Sequence, residues 1–160
     1  MPEADPPKIL IRTPNWLGDL VISTGFIGAV LENYPESQVD LIVKSGFENL
    51  PLPYRGKIIP FDPEKNSAGA FGKTLRSGNY THYYVLPPGF SSAWMSFQSK
   101  IPQRIGYSGE FRSLLLSHAK KHEGTSRSIH ILQEYLNLMA PDITLEKYPP
   151  HLETTEAWVE

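Results

Sequence analysis

The sequence predicts an α/β domain: a mainly parallel, twisted sheet with helices on both faces. Three observations predict it. Short β-branched and aromatic runs alternate with stretches of helical period, the order expected when parallel strands are joined by crossover helices. The first of those runs, Ile9, Leu10 and Ile11, is apolar without alternation, as in a strand buried on both faces, so it is expected at the centre of the sheet. A chain of 160 residues, 40% hydrophobic and 20% charged, has the size and mixture of one globular domain with a single core, not of a disordered or membrane chain.

Taken in order, Lys8 to Arg12 reads as the first strand. Gly18 to Tyr34 is the first helix, with Leu20, Ile27, Leu31 and Tyr34 on one stripe and Pro35 stopping it. Ser23, Thr24, Gly25 and Gly28 keep another side small, which predicts close packing of that side on the sheet. Val39 to Val43 is the second strand and Lys57 to Phe61 a short third, with the prolines at 51 and 53 limiting what lies between them to a helical turn. Ala68 to Ser77 reads as a helix weakened by Gly69 and Gly72. His82 to Pro87 is the fourth strand by its aromatic and β-branched density. Ser91 to Ser99 is a helix, Arg104 to Tyr107 a fifth strand, Phe111 to Leu116 a helical turn and Ser117 to Lys120 a last short strand. Ser126 to Met139 is an amphipathic helix with Ile129, Leu132, Leu136 and Met139 on its stripe, capped by Ser126 or Ser128 and ended by Pro141.

Residues 1–140 therefore read as one domain. Beyond Pro141 the text is acidic, holds paired prolines and has few apolar residues, which reads as an interdomain linker and the opening of something absent, or as an ordinary frayed end.

The net charge of −2 gives no bias toward nucleic acid. Its distribution is uneven: Lys100 to His130 holds six Lys or Arg against two Glu, while Glu134 to Glu160 holds six acids against Lys147 alone. The first stretch is either a solvated surface or a face for an anionic ligand. Cysteine is absent, which excludes disulfides, thiolate nucleophiles and Cys-based metal sites. No basic region leads into an apolar signal core at the start, and no run approaches the ~20 apolar residues of a membrane span. A cytoplasmic location is expected.

In an open parallel sheet ligands sit beyond the carboxyl ends of the strands, which directs attention to the loop from Thr13 to Asp19. It contains neither a G-x-G-x-x-G nor a Walker A pattern, so dinucleotide or P-loop chemistry is not expected there. It does contain a carboxylate, Asp19, in the first turn of a helix. That residue is either a helix cap, favoured by the dipole, or a base toward a bound hydroxyl. Trp16, at a loop tip where no core demands it, and Gly18, which leaves the backbone open, favour the second reading.

Pro14-Asn-Trp-Leu-Gly-Asp-Leu-Val21 resembles the first-loop signature of the bacterial ADP-heptose:lipopolysaccharide heptosyltransferases, particularly the type that adds the second heptose. The resemblance continues through Val85-Leu-Pro-Pro-Gly-Phe-Ser-Ser-Ala93, Ile101-Pro-Gln-Arg-Ile-Gly-Tyr-Ser-Gly-Glu-Phe-Arg112, His130 and Tyr135-Leu136, in order and spacing. It implies the N-terminal, Rossmann-like half of a GT-B fold, in which this domain holds the lipopolysaccharide inner-core acceptor and an absent C-terminal domain holds ADP-heptose. It implies transfer with inversion, no metal or other cofactor, and Asp19 as the catalytic base. The acceptor-binding residues it implies are Asn15, Trp16, Gly18, Ser91, Ser92, Arg104, Tyr107, Glu110 and Arg112. Such a fragment alone would be inactive, and its membrane association at most peripheral, at the inner face of the inner membrane.

The chain departs from the family where Ser91 stands in place of a frequent Lys, which puts one acceptor or donor phosphate contact in question. Arg55 and Lys57 are the only basic residues near the third strand that could meet an anionic acceptor. Arg104 and Arg112 are suited to bidentate contacts with carboxylate or phosphate, and equally to structural pairing, with Glu110 a candidate partner. His82, His118, His122, His130 and His151 do not show metal spacing with carboxylates, and His130 reads as a helix-capping or core-edge residue. Two rival readings are a stand-alone module that binds an anionic glycan without turnover and, on fold analogy alone, a receiver-like or small-molecule-binding α/β domain.

Overall fold

The structure is a computed structural model that describes residues 5–109, 111–122, 130–140 and 142–153. Six parallel strands form one sheet: β1 (Ile9–Arg12), β2 (Val39–Lys44), β3 (Ile58–Phe61), β4 (His82–Val85), β5 (Gln103–Tyr107) and β6 (His118–Lys120), in the order β3-β2-β1-β4-β5-β6. As the apolar run predicts, β1 is interior, pairing with β2 from Ile9↔Val39 to Arg12↔Ile42 and with β4 from Ile9↔His82 to Arg12↔Val85. Pro60 falls in β3, an edge strand, where a missing amide donor is tolerated.

Two apolar layers cover the sheet. On one face Ile9, Ile11, Leu41, Val43, Tyr84 and Ile105 pack against α1 (Leu17–Asn33) and α4 (Ile131–Met139). On the other, Leu10, Ile42, Tyr83 and Val85 pack against α2 (Ala68–Thr74), its 3-10 continuation over Leu75–Gly78, and α3 (Phe90–Ser99). The alternation of β1 between the layers follows from the two-residue period of a strand. α1 is buried more widely than one stripe: Phe26, Ala29 and Val30 have no exposed surface, like Leu20 and Ile27. The start of α4 is set by His130, whose Nδ1 accepts from the Leu132 amide, so the capping reading of His130 holds. Ser126 and Ser128, the caps expected from sequence, lie outside the described residues.

Gly25, Gly28 and Thr24 of α1 do not meet the sheet, contrary to the sequence expectation. They meet residues 148–151, and Gly25 also meets Leu132 of α4. A methyl on Gly25 would overlap the Tyr148 carbonyl oxygen and lie 2.9 Å from both Leu132 methyls. The reason is that the larger residues of α1 already fill the gap to the sheet, leaving its glycine side for chain to approach. Residues 142–153 contain no helix or strand, yet Tyr148 is 7% exposed and belongs to the same apolar cluster as the buried residues of α1 and α4. Thr24 Oγ1 accepts the His151 amide at 2.7 Å, Asn33 Nδ2 donates to the Tyr148 hydroxyl at 3.3 Å, and the Pro51 carbonyl accepts the Glu153 amide at 2.6 Å.

Because backbone cannot yield as a side-chain tip can, Gly25→Ala should lower stability by ~2 kcal/mol, the usual scale of overpacking. Gly28→Ala, whose added carbon would stand 3.2 Å from one His151 ring atom, should cost much less. Thermal unfolding of the two variants beside the parent checks the ranking.

Candidate active site

The site begins at the carboxyl end of β1. Arg12 shares the β1 face of Leu10, and only 4% of it is exposed. Its guanidinium donates to the Thr13 carbonyl at 3.1 Å and to Asn15 Oδ1 at 2.5 Å, and lies 5.5 Å above the Phe61 ring. Burial lowers its pKa from the usual arginine value, yet arginine starts so high that it stays charged. A buried cation must be satisfied by nearby oxygens, and here those oxygens belong to the turn that follows. Thr13 Oγ1 adds a bond to the Ile42 carbonyl at 2.8 Å. The turn is thus fixed from below, and α1 starts at Leu17 with Trp16 as its N-cap residue, 75% exposed.

Asp19 stands in the first turn of α1. The N-cap residue Trp16 makes no side-chain cap hydrogen bond, and the dipole favours an acid in the first turn, where Asp19 stands. The carboxylate also lines a cavity of about 160 Å³ together with Asn15, Trp16, Pro87, Tyr107, Arg112, His122, Glu134 and Tyr135. The wall opposite α1 comes from β5 and α4. Tyr107, at the carboxyl end of β5, donates its hydroxyl to the Glu134 carbonyl at 2.5 Å and stacks on the His122 ring at 4.2 Å between centroids. His122 Nδ1 lies 3.6 Å from a Glu134 carboxylate oxygen. Burial, then the charges of Asp19 and Glu134, raise the pKa of Tyr135, so its phenol stays protonated and can donate. The cavity thus presents carboxylates, a retained hydroxyl, an imidazole and a buried arginine around an apolar floor of Val85 and Leu86.

Of the residues singled out from sequence, Asn15, Trp16, Asp19, Tyr107 and Arg112 come together in this cavity, and Gly18 sits between two of them with open space where a Cβ would stand. Glu110 lies outside the described residues. Ser91, Ser92 and Arg104 do not line the cavity. Ser92 Oγ donates to the carbonyls of Pro87 and Gly89, tying down the first turn of α3, while Ser91 is exposed. Arg104 enters near the amino end of β5, where its guanidinium donates to the Leu115 and Ile101 carbonyls and lies 5.7 Å over Phe97. Arg55 binds the carbonyls of Leu31, Tyr34 and Ser37 at the carboxyl end of α1, far along the helix from Asp19. Sequence reasoning did not pick out Arg12, His122, Glu134 or Tyr135 as site residues. A charge closing an apolar strand was the available signal for Arg12. Tyr135 lay in a family motif, and no signal joined His122 to Glu134.

Arg12→Ala would strip the Thr13 carbonyl and Asn15 of their donor and leave a void beside Phe61, so it should cost ~2–4 kcal/mol. Asp19→Asn, four residues past the turn's anchor at Asn15, should cost less than ~1 kcal/mol because asparagine keeps the size and much of the capping capacity. Chemical denaturation of both variants reads the difference.

The profile of glycosyltransferase family 9 (heptosyltransferase) matches residues 68–158. The chain is 31% identical over 120 residues to lipopolysaccharide heptosyltransferase 2 of Salmonella typhimurium, a match covering 71% of this chain and 34% of that protein. It superposes on the structure of E. coli ADP-heptose lps heptosyltransferase II with a TM-score of 0.80 and 27% identity, covering 94% of this chain and 47% of the other. A family 9 glycosyl transferase from Veillonella parvula shares the fold, with a TM-score of 0.78 at 17% identity over 96% of this chain and 47% of that one. The chain spans about a third of the length of the curated relative and half of the solved ones. With more than half of its residues inside the family profile, the chain belongs to glycosyltransferase family 9, the heptosyltransferases.

Proposed function

We propose that this domain is the acceptor-binding half of an enzyme that transfers heptose from ADP-heptose to the inner core of lipopolysaccharide, and that Asp19 is its base. One observation carries the reading: a carboxylate at the carboxyl edge of the sheet, in the first turn of α1, lines a cavity with aromatic and polar side chains from β5 and α4. The similarity to heptosyltransferases of the second-heptose type supports the choice of substrate class.

In the reaction, the acceptor hydroxyl enters the cavity and gives its proton to the Asp19 carboxylate as its oxygen bonds to the anomeric carbon. The bond from that carbon to the ADP oxygen breaks on the opposite side, so the centre inverts and ADP leaves. Asn15 and Trp16 hold the sugar at the loop, and Gly18 lets it approach the backbone. Tyr107 and Arg112 bound it from β5 and the segment after it, with Glu110 beside them in sequence. The protonated Tyr135 phenol donates a hydrogen bond toward the acceptor and away from competition with the base. ADP-heptose is held by a second domain outside residues 1–140, with residues 141–160 leading to it. The loop after β1 lacks a glycine-rich phosphate cradle, which favours a donor site elsewhere. A cytoplasmic location goes with this reading.

Asp19→Asn in this domain joined to a donor-binding domain of the family should lower kcat by ~10²-fold or more with KM little changed, the scale for loss of a positioned base. Near-normal turnover would overturn the assignment. Titration calorimetry of the 160-residue chain with ADP should give no tight binding; tight binding would overturn the division of donor and acceptor between domains.

A further inference from the structure

The cavity at the carboxyl edge of the sheet holds a second carboxylate that the transfer step leaves unused. Glu134 stands in the first turn of α4 and Asp19 in the first turn of α1, and both line the cavity. The Tyr135 phenol feels both charges, so the two acids share one small space. A helix dipole favours an acid at either place. It does not account for how Glu134 is held.

Two stacked rings hold it. The Tyr107 hydroxyl donates to the Glu134 carbonyl at 2.5 Å, and His122 lies on the Tyr107 ring with centroids 4.2 Å apart and planes 10° from parallel. From there His122 Nδ1 stands 3.6 Å from a Glu134 carboxylate oxygen, and 18% of the glutamate side chain is exposed. Backbone and side chain are thus set by a single aromatic pair. Fixing a glutamate in this way costs rotamer freedom, which a mere surface charge at a helix start would not repay.

The cations that could answer an anionic ligand are committed elsewhere. Arg104 donates to the Leu115 and Ile101 carbonyls, Arg55 to those of Leu31, Tyr34 and Ser37, and Lys120 Nζ to that of Asn137 at 2.5 Å. Ser91, in place of a frequent lysine, is exposed and outside the cavity. Among the described residues the lining sets Asp19 and Glu134 against Arg112 and a histidine that already faces Glu134.

We propose that Glu134 is a specificity-determining residue of the acceptor site: its carboxylate takes the protons of hydroxyls next to the one that Asp19 deprotonates, and so selects a sugar with those hydroxyls free over one that carries a phosphate there. The inference rests on the acceptor reading above. An ionised carboxylate only accepts, through two oxygens, and neighbouring hydroxyls of a sugar ring offer it two donors. Such charge-assisted bonds are the strong ones. A phosphate in the same place has no proton to give and adds its negative charge to those of two carboxylates, which repels it.

Sugar binding to the 160-residue chain tests this without donor or turnover. The probes are a methyl heptoside and the same heptoside bearing a phosphate ester on a ring hydroxyl, each titrated against the chain and followed by NMR chemical shifts. The parent should bind the neutral heptoside about tenfold more tightly than the ester, or better, by a margin that narrows as salt is raised. Glu134→Gln keeps the shape and removes the charge. It should weaken the neutral heptoside by about tenfold, the scale of the lost charge assistance, without weakening the ester, so that the preference disappears. A purely structural role would weaken both probes alike. Glu146→Gln, exposed and outside the cavity, should change neither. Circular dichroism melts establish that each variant is folded; if Glu134→Gln does not fold, the parent's preference and its salt dependence decide. Absence of saturable heptoside binding by the parent, equal affinity for the two probes, or a folded Glu134→Gln variant that keeps the parent's preference overturns the proposal. The transfer reading fails separately, on the turnover of Asp19→Asn: near-normal turnover there, with the sugar-binding results as expected, would leave Glu134 in its role and place the base elsewhere.

Discussion

A strand covered on both faces cannot let a charged side chain reach water sideways, and β1 ends on one. Arg12 lies between the second apolar layer and the sheet, beside Phe61 and Tyr83. Removing a guanidinium from water costs several kcal/mol unless oxygens replace the lost hydration, and charge-assisted hydrogen bonds contribute about 1.5–3 kcal/mol each. The oxygens that answer are the Thr13 carbonyl and Asn15. The requirement to satisfy one buried cation thus determines how the chain leaves the sheet, and with it where Trp16 ends the loop and where Asp19 begins the helix. The position of the carboxylate follows from the interior of the domain more than from its surface.

The other wall of the cavity is held by a different device. β5 ends in Tyr107, which spans from the sheet to the backbone of α4 through the Glu134 carbonyl. The stacked His122 and its contact with the Glu134 carboxylate bring the chain after β6 to the same place. One helix end and one strand end therefore face each other across a small space, each fixed by its own polar contacts. The raised pKa of Tyr135 records the result: burial with two carboxylates nearby keeps that phenol a donor.

The sequence carried the fold well because the fold's demands are local and periodic. Unbroken apolar runs mark strands without a solvent side, and Ile9 to Ile11 sit where that pattern requires. The loop from Pro14 to Asp19 was readable for the same reason, since ligand sites in parallel sheets lie at carboxyl ends. Within β5, however, Arg104 and Tyr107 are three residues apart and serve opposite ends and opposite faces of the sheet. Residue type recommended both equally, and only register separates them. Ser92 hydrogen-bonds within its own helix start, a role that any serine can take. The meeting of His122 with Glu134 depends on a tertiary contact that no spacing announces. Tyr148 was hidden by its company: one aromatic among prolines and acids looks like a tail, and its burial depends on the groove that Gly25 leaves.

That groove has a mechanical consequence. At Gly25 the Tyr148 backbone touches α1 without slack, and Thr24 is hydrogen-bonded to His151. Asp19 lies six residues up the same helix, about 9 Å at 1.5 Å per residue. Residues 148–151 and the carboxylate are thus anchored on one helix, and the missing side chain at position 25 is what lets backbone meet backbone there.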